Sequence, residues 1–302
     1  MNILITGGSG LVGSAVTKAL VREGHKVRHL SRRKRQTEHV EVFEWDIESG
    51  KIDDNALQNL DAVVHLAGEG VADKRWTTHQ KDKIISSRTD SAGLLLDSLS
   101  KLDKKPSVFV SASGVGYYGS DTGDVELTED HQKGDGFLAE VVEKWEQSVT
   151  SFEGLGIRTV KLRIGMVLSG DGGALEKMLM PIKYGIGSPL GTGKQQVSWL
   201  HIDDLVSLVG YSLQNDHISG IYNAVSSQPV TNEELIRSIA RTLGKPMFMP
   251  RVPAFVLRWM LGEMSSIVTG GNRVSNEKIK KAGFKFQFEK LHDALAQILD
   301  KY

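Results

Sequence analysis

A chain of 302 residues is long enough for one large α/β domain and a smaller lobe. Lysine plus arginine and aspartate plus glutamate each number 37, a balance that gives no support for a nucleic-acid or membrane-surface partner. There is no cysteine, so disulfides, thiolate metal sites and a cysteine nucleophile are excluded; no run of about 18 apolar residues is present to span a bilayer.

Asn2-Ile3-Leu4-Ile5 is a short apolar run, predicted as the first strand. Thr6-Gly7-Gly8-Ser9-Gly10-Leu11-Val12-Gly13 follows at once, and Ser14–Val21 carries helical spacing. A glycine fingerprint between a strand and a helix is the setting of a dinucleotide site. Gly7 lets the chain turn out of the strand, Gly10 lets the backbone approach a pyrophosphate, and Gly13 allows close packing of the helix. The amides of Leu11, Val12 and Gly13 then open a helix whose free N–H groups suit phosphates, with Ser9 beside them. A strand starting at residue 2 leaves no room for a leader, so the cytoplasm is the expected location.

Strand-like runs recur at Val27–Leu30, Val42–Trp45, Ala62–Leu66, Ser107–Ala112 and Thr159–Arg163, with helical segments that include Gln80–Ser100 and Leu138–Phe152. This alternation predicts a doubly wound parallel α/β sheet of Rossmann type with ligands at the carboxyl edge. The second strand ends His29-Leu30-Ser31-Arg32-Arg33, without the acid that usually binds the ribose 2′-hydroxyl of NAD. Ser31 and Arg32 suit a 2′-phosphate and Arg33 an adenine face, so NADP(H) is the expected cofactor; Lys34 and Arg35 extend the basic cluster. After the third strand Asp46 can accept from an adenine amine. After the fourth, Leu66, Ala67 and Gly68 let the backbone approach the cofactor, and Arg88 on the next helix lies close enough to join them.

The pattern changes after Arg163. Glycine-rich loops at 170–173 and 185–193 flank a predicted helix at Ala174–Tyr184. Asp203 is the expected cap of a helix over Asp204–Gln214. Thr231-Asn232-Glu233-Glu234 has capping-box spacing, and Ser275 can cap a helix ending near Gly283. Leu291–Leu299 is amphipathic. The division expected is 1–165 for the dinucleotide-binding domain, with 200–225 returning to it, and 166–199 plus 226–302 for a substrate lobe. Met178, Met180 and the methionines of 247–264 suit the core or an apolar substrate wall. His201 with Asp203 and Asp204 reads as a helix cap rather than a metal site, and no metal is expected. Arg163 and Lys183 are candidate contacts for a substrate anion.

Residues 6–13, Asp46-Ile47, His65-Leu66-Ala67-Gly68-Glu69, Phe109–Ser113 and Ser198–Leu205 resemble the extended short-chain dehydrogenase/reductases, which include nucleotide-sugar epimerases and dehydratases. Lys74-Arg75-Trp76, Ser113–Gly119, Pro189–Gly193 and a C-terminal segment like Pro250–Leu299 are similar to an atypical branch called epimerase family proteins. The resemblance implies that Ser113 hydrogen-bonds a reacting hydroxyl while a Tyr-x-x-x-Lys pair passes the proton. Phe137 and Val141 stand at those two positions, and neither can exchange a proton. Tyr117 and Glu69 are the candidate replacements. One reading is therefore hydride transfer on a carbonyl or secondary alcohol of a small, sugar-like molecule. Another is an NADP(H)-binding redox sensor without turnover, and a third an interaction protein that kept the fold. The oligomeric state stays open.

Overall fold

The computed structural model describes residues 1–33 and 40–300. In chain order it runs β1 (Asn2–Thr6), α1 (Leu11–Arg22), β2 (Lys26–Ser31), β3 (Glu41–Asp46), β4 (Lys51–Ile52), β5 (Ala62–His65), α2 (Thr78–Ser100) and β6 (Val108–Gly114). There follow β7 (Glu126–Leu127), α3 (Phe137–Thr150), β8 (Arg158–Ile164), β9 (Met166–Leu168), α4 (Ala174–Lys183), β10 (Gln196–Val197), β11 (Trp199–His201), α5 (Ile202–Gln214) and β12 (Gly220–Ala224). The chain ends with β13 (Val230–Thr231), α6 (Asn232–Thr242), α7 (Ala254–Leu261), α8 (Ser266–Thr269), β14 (Arg273–Val274), α9 (Glu277–Lys281) and α10 (Leu291–Leu299).

Among the described residues, eight strands form one sheet in the order β12-β8-β6-β5-β1-β2-β3-β4, parallel except for β4 against β3. The chain builds outward from β1 to β4 and then returns to lay β5 on the other side of β1. That reversal opens the crevice at which doubly wound sheets hold ligands. Alternation along each strand feeds two cores. Ile3, Ile5, Val108 and Val110 join Val16 and Leu20 of α1 and Leu205 and Leu208 of α5. Leu4, Val63 and Phe109 face the other way, onto Leu95 and Leu99 of α2 and Trp145 of α3. Phe109 stacks on Phe152 at 4.0 Å.

A third core lies beyond the sheet, where α4, α6 and α10 close around Trp199, Leu235 and Leu295. Thr231 and Glu234 form the capping box expected for α6. Two caps differ from expectation. The ring of His201, not Asp203, caps α5 by accepting from the Asp203 amide at 3.1 Å. Asn276, not Ser275, precedes α9 and makes no side-chain cap. Asp204 instead turns inward and accepts from the amides of Gln287 and Phe288 at 2.6 and 3.0 Å, which fastens the C-terminal segment to α5. His201 contributes to the same joint, stacked on Phe288 at 3.9 Å and bonded to Gln297 at 3.1 Å. The helix α7 has no counterpart among the sequence expectations. No helix among the described residues is long and apolar enough to cross a membrane.

Candidate functional site

The carboxyl ends of β1 and β5 meet at a cleft of about 710 Å3, a volume ordinary for a small-molecule site. Gly7 turns the chain at a φ of 70° and presses on β5, since a Cβ there would stand 2.7 Å from the carbonyl of Leu66. A Cβ on Gly13 would meet the Gly7 carbonyl at 2.2 Å, so this glycine closes the turn on itself. Gly8 has a role that spacing did not reveal: it lies on the His29 ring, which a Cβ would overlap. His29 is held in turn by Thr17 at 2.8 Å. Gly10 precedes α1 with no side-chain cap, so the first amides of the helix, from Leu11, Val12 and Gly13, have no side-chain acceptor. Gly7, Ser9 and Gly10 line the cleft on this side.

Ser31, Arg32 and Arg33 line its far end together with Trp45 and Ile47. Both arginines are exposed, and among the described residues neither pairs with a carboxylate. Lys34 and Arg35 lie outside the described residues. The Asp46 carboxylate is occupied by its own turn, accepting from the Ser49 hydroxyl at 2.7 Å and from the Glu48 and Ser49 amides. These bonds, the Ser49 hydroxyl first, hold it below the usual carboxylate range. Its neighbours Trp45 and Ile47, not Asp46, form the wall.

The floor is the loop after β5, where Leu66, Ala67, Gly68 and Glu69 line the cleft. Thr6 Oγ1 accepts from the amides of Leu66 and Ala67, each at 3.2 Å, and so donates to His65 Nδ1 at 2.8 Å. That assigns the ring proton to Nε2, which faces Ser91 at 3.3 Å. Burial pushes His65 down to about 3, so the imidazole is neutral. Arg88 lies beneath the same loop: Nη1 donates to the Glu69 and Ile84 carbonyls at 3.0 and 2.8 Å, and the guanidinium carbon would be 2.9 Å from a Cβ on Gly68. It is 9% exposed, and burial brings it down to about 10. Arg88 therefore acts on the cleft through the backbone it holds. Glu69 reaches Lys74 at 3.9 Å.

One strand over, Ser113, next to last in β6, lies opposite Arg163 of β8. Ser113 Oγ donates to Glu146 Oε1 at 2.6 Å. Arg163 binds both Glu146 oxygens at 2.8 Å and donates from Nη1 to the Tyr118 hydroxyl at 3.0 Å. Tyr118 donates in turn to Asn223 Oδ1 of β12 at 2.7 Å. Burial pushes the Tyr118 phenol up, against the opposing pull of Arg163. For Arg163 burial acts downward, but the Glu146 hydrogen bond and charge outweigh it and hold the guanidinium above its ordinary value. The guanidinium also lies 3.5 Å from the Tyr117 ring centre. Among the described residues nothing hydrogen-bonds the Tyr117 hydroxyl. Phe137 opens α3 and meets Trp76 edge-on at 4.8 Å, and Val141 is buried.

Arg163, read from sequence as an anion contact, is thus 1% exposed and committed to Glu146. Glu146 was not anticipated. Its signal was an acid beside Trp145 on the stripe of α3 that also carries Val142 and Val149, all of them buried. His201, Asp203 and Asp204 are used as cap and clasp, and among the described residues no group of three acids or histidines is placed to hold a metal.

A parallel sheet with a glycine-lined, uncapped helix at its switch point defines the Rossmann class of dinucleotide-binding folds. Within that class, residues 3–224 match the model of the NAD dependent epimerase/dehydratase family, and residues 252–298 match a domain of unknown function, DUF1731. The chain belongs to the NAD dependent epimerase/dehydratase family. It is 36% identical over 302 residues to the epimerase family protein YfhF of Bacillus subtilis, covering 99% of this chain and 98% of that one. It is 31% identical to the epimerase family protein SDR39U1 of Mus musculus, covering 99% and 100%. The crystal structure of human SDR39U1 with NADPH superposes with a TM-score of 0.90 at 30% identity over the whole of both chains.

Proposed function

We propose that this chain is an NADP(H)-dependent oxidoreductase that moves a hydride to or from a carbonyl or secondary alcohol of a small molecule in the cytoplasm. The observation that carries the reading is one cleft holding both an uncapped, glycine-lined helix N-terminus and two guanidinium groups that, among the described residues, pair with no carboxylate. The geometry fits the cofactor, because the turn closes only with glycine at 7 and 13, where a Cβ would strike the Leu66 and Gly7 carbonyls, and this tight turn leaves the first amides of α1 without a side-chain cap. Gly7, Ser9, Gly10 and the amides of Leu11, Val12 and Gly13 would hold the pyrophosphate; Ser31, Arg32 and Arg33 would hold the 2′-phosphate and adenine; Leu66, Ala67 and Gly68 would receive the nicotinamide half. Asp46 acts in this reading by shaping the Trp45–Ile47 wall, and Arg88 by bracing Gly68. NADP(H), when bound, supplies or takes the hydride.

Tyr117 exchanges the proton with the substrate oxygen, because among the described residues nothing hydrogen-bonds its hydroxyl and its ring is fixed on Arg163. Ser113 accepts from the substrate hydroxyl, since its own proton points to Glu146. Glu69 is the other group able to carry a proton at this edge. Residues 166–199 and 226–302 form the lobe that covers the substrate. Calorimetric titration with NADPH and NADH is the direct test: saturable, tighter binding of NADPH is expected, and binding of neither would end the proposal.

A second reading, an NADP(H)-binding sensor without turnover, draws on Phe137 and Val141 at the Tyr and Lys positions. Tight NADPH binding with no oxidation by any of a panel of carbonyl compounds would favour it.

A further inference from the structure

Residues 270–276 pass between two loops and bind both. A Cβ on Gly270 would overlap the Ser120 carbonyl, and one on Gly271 the Gln196 carbonyl, so only glycines let the chain through. The Thr122 amide donates to the Gly271 carbonyl at 3.1 Å. Asn272 is fixed along its main chain: its amide donates to the Gln196 carbonyl at 3.1 Å, and its carbonyl accepts from the Ser198 hydroxyl at 2.7 Å. Beyond it β14 pairs with β7, and the Ser275 amide donates to the Leu127 carbonyl at 2.8 Å. The stretch between β6 and α3 is thereby tied to the C-terminal part of the chain.

The Asn272 side chain closes on the turn that carries Tyr117. Its Nδ2 donates to the Gly119 carbonyl at 2.8 Å and to the Val115 carbonyl at 3.3 Å, so one amide spans both ends of the turn. Its Oδ1 accepts from the Thr122 hydroxyl at 3.1 Å. Two carbonyls can accept only from the NH2 group, which fixes the orientation of the amide. Asn272 is 8% exposed, so breaking these bonds would strand buried polar groups. The turn needs such a clamp, because Gly114, Gly116 and Gly119 lie in it or at its ends and glycine loses the most freedom on ordering. The same segment reaches the second tyrosine. Asn223 accepts from the Tyr118 hydroxyl and donates from Nδ2 to the Ser275 carbonyl at 3.0 Å. The Tyr118 hydroxyl in turn accepts from Arg163, on which the Tyr117 ring lies. Tyr117 is therefore placed from two sides, its turn by Asn272 and its bed by the chain from Ser275 through Asn223 and Tyr118 to Arg163.

We propose that Asn272 is a positioning residue that holds Tyr117 in place for proton exchange, and that the C-terminal domain, 252–298, thereby completes the reaction site. This rests on the reading of Tyr117 as the proton-exchanging group for its chemistry, but not for the placement. The full chain is produced with 3-fluorotyrosine in place of its six tyrosines, and the fluorine resonance of Tyr117 is assigned by its loss in Tyr117→Phe. In Asn272→Ala that resonance is expected to move toward the value of the free amino acid and to broaden, while NADPH affinity, read by calorimetry, stays within about twofold. Asp53→Ala is the control for stability alone. It removes the cap of the turn at Asp54–Leu57, beside the β4 edge of the sheet, where the carboxylate accepts from the Asn55 amide at 3.0 Å. It should leave the Tyr117 resonance in place.

An unchanged Tyr117 resonance in Asn272→Ala overturns the proposal. So does an equal displacement in Asp53→Ala, because Asn272 would then act through stability alone. If Asn272→Ala does not fold, Thr122→Val, which removes the hydroxyl that orients the amide, is read in its place: a displacement in the same direction is expected, and none overturns the proposal. NADPH oxidation with a panel of carbonyl compounds separates this result from the hydride-transfer reading. Where the native protein turns over, Asn272→Ala lowers kcat and leaves the KM for NADPH unchanged; a change in KM alone counts against positioning. Where it does not turn over, a displaced resonance supports the placement by Asn272 and counts against hydride transfer.

Discussion

Two stretches of one sheet edge are built in different materials. The cofactor end, between β1 and β5, is made of backbone: a turn of glycines, the first amides of α1, and a loop pinned by Thr6 and Arg88. The other end, at β6, β8 and β12, is made of side chains that bind one another in a buried line from Ser113 through Glu146 and Arg163 to Tyr118 and Asn223. Backbone sites tolerate changes of neighbouring side chains. A buried ionic line does not, because removing one member strands the rest without water.

The sharpest way to test the contrast is Glu146→Ala. It leaves the Arg163 guanidinium buried without a counter-charge, and a stability loss of about 3–5 kcal/mol is expected. Urea unfolding measures it. The paired substitution Glu146→Leu with Arg163→Met removes both charges and should recover most of that loss. A double variant as unstable as the single one would show that the line holds the fold through geometry rather than charge.

Next in size is a pH effect at the cofactor end. His65 titrates near 6.5 when unfolded and near 3 when folded. Between those values the unfolded chain binds the extra proton, so stability is complete above 6.5 and is lost as pH falls. The slope is up to ~1.4 kcal/mol per unit for this group. Burial also lowers His29 and His201, with the same sign. His65→Gln should flatten the profile by one proton's worth in urea midpoints taken from neutral pH downward. Parallel profiles for the variant and the native protein would remove His65 from the account.

The cofactor end was legible from sequence because its parts are neighbours in the chain. Residues 6–13 contain the strand end, the turn and the helix start, and each glycine answers a local constraint. Ser31, Arg32 and Arg33 follow directly from the end of β2. What was missed there, His29 under Gly8, is a contact across strands. The other end draws on residues 113, 118, 146, 163 and 223, and no local pattern orders them. Arg163 was noticed as a charge at a strand end. Its partner was not, so a buried pair was read as an anion contact. His201 was recognised as capping chemistry, but assigning the cap to it rather than Asp203 required the fold.

At the cofactor end a side chain can be removed without unfolding anything, because Arg32 is exposed and, among the described residues, pairs with no carboxylate. Arg32→Ala should weaken NADPH by about tenfold, the value of one charge-assisted contact. NADH affinity and stability should stay unchanged. Equal losses for both nucleotides would mean that the guanidinium meets the adenine or diphosphate instead of the 2′-phosphate.

The smallest effect supplies the control for the comparison. Thr231 caps α6 in the lobe beyond the sheet, accepting from the Glu234 amide at 3.2 Å while Glu234 returns a bond to the Thr231 amide at 2.7 Å. Thr231→Ala removes half of that reciprocal cap, for a loss of ~1 kcal/mol. Because α6 touches neither end of the sheet edge described above, NADPH affinity should not move. If it falls with stability, the lobe and the cofactor cleft are coupled through the Asp204 clasp on Gln287 and Phe288, and the two ends cannot be treated as separate constructions.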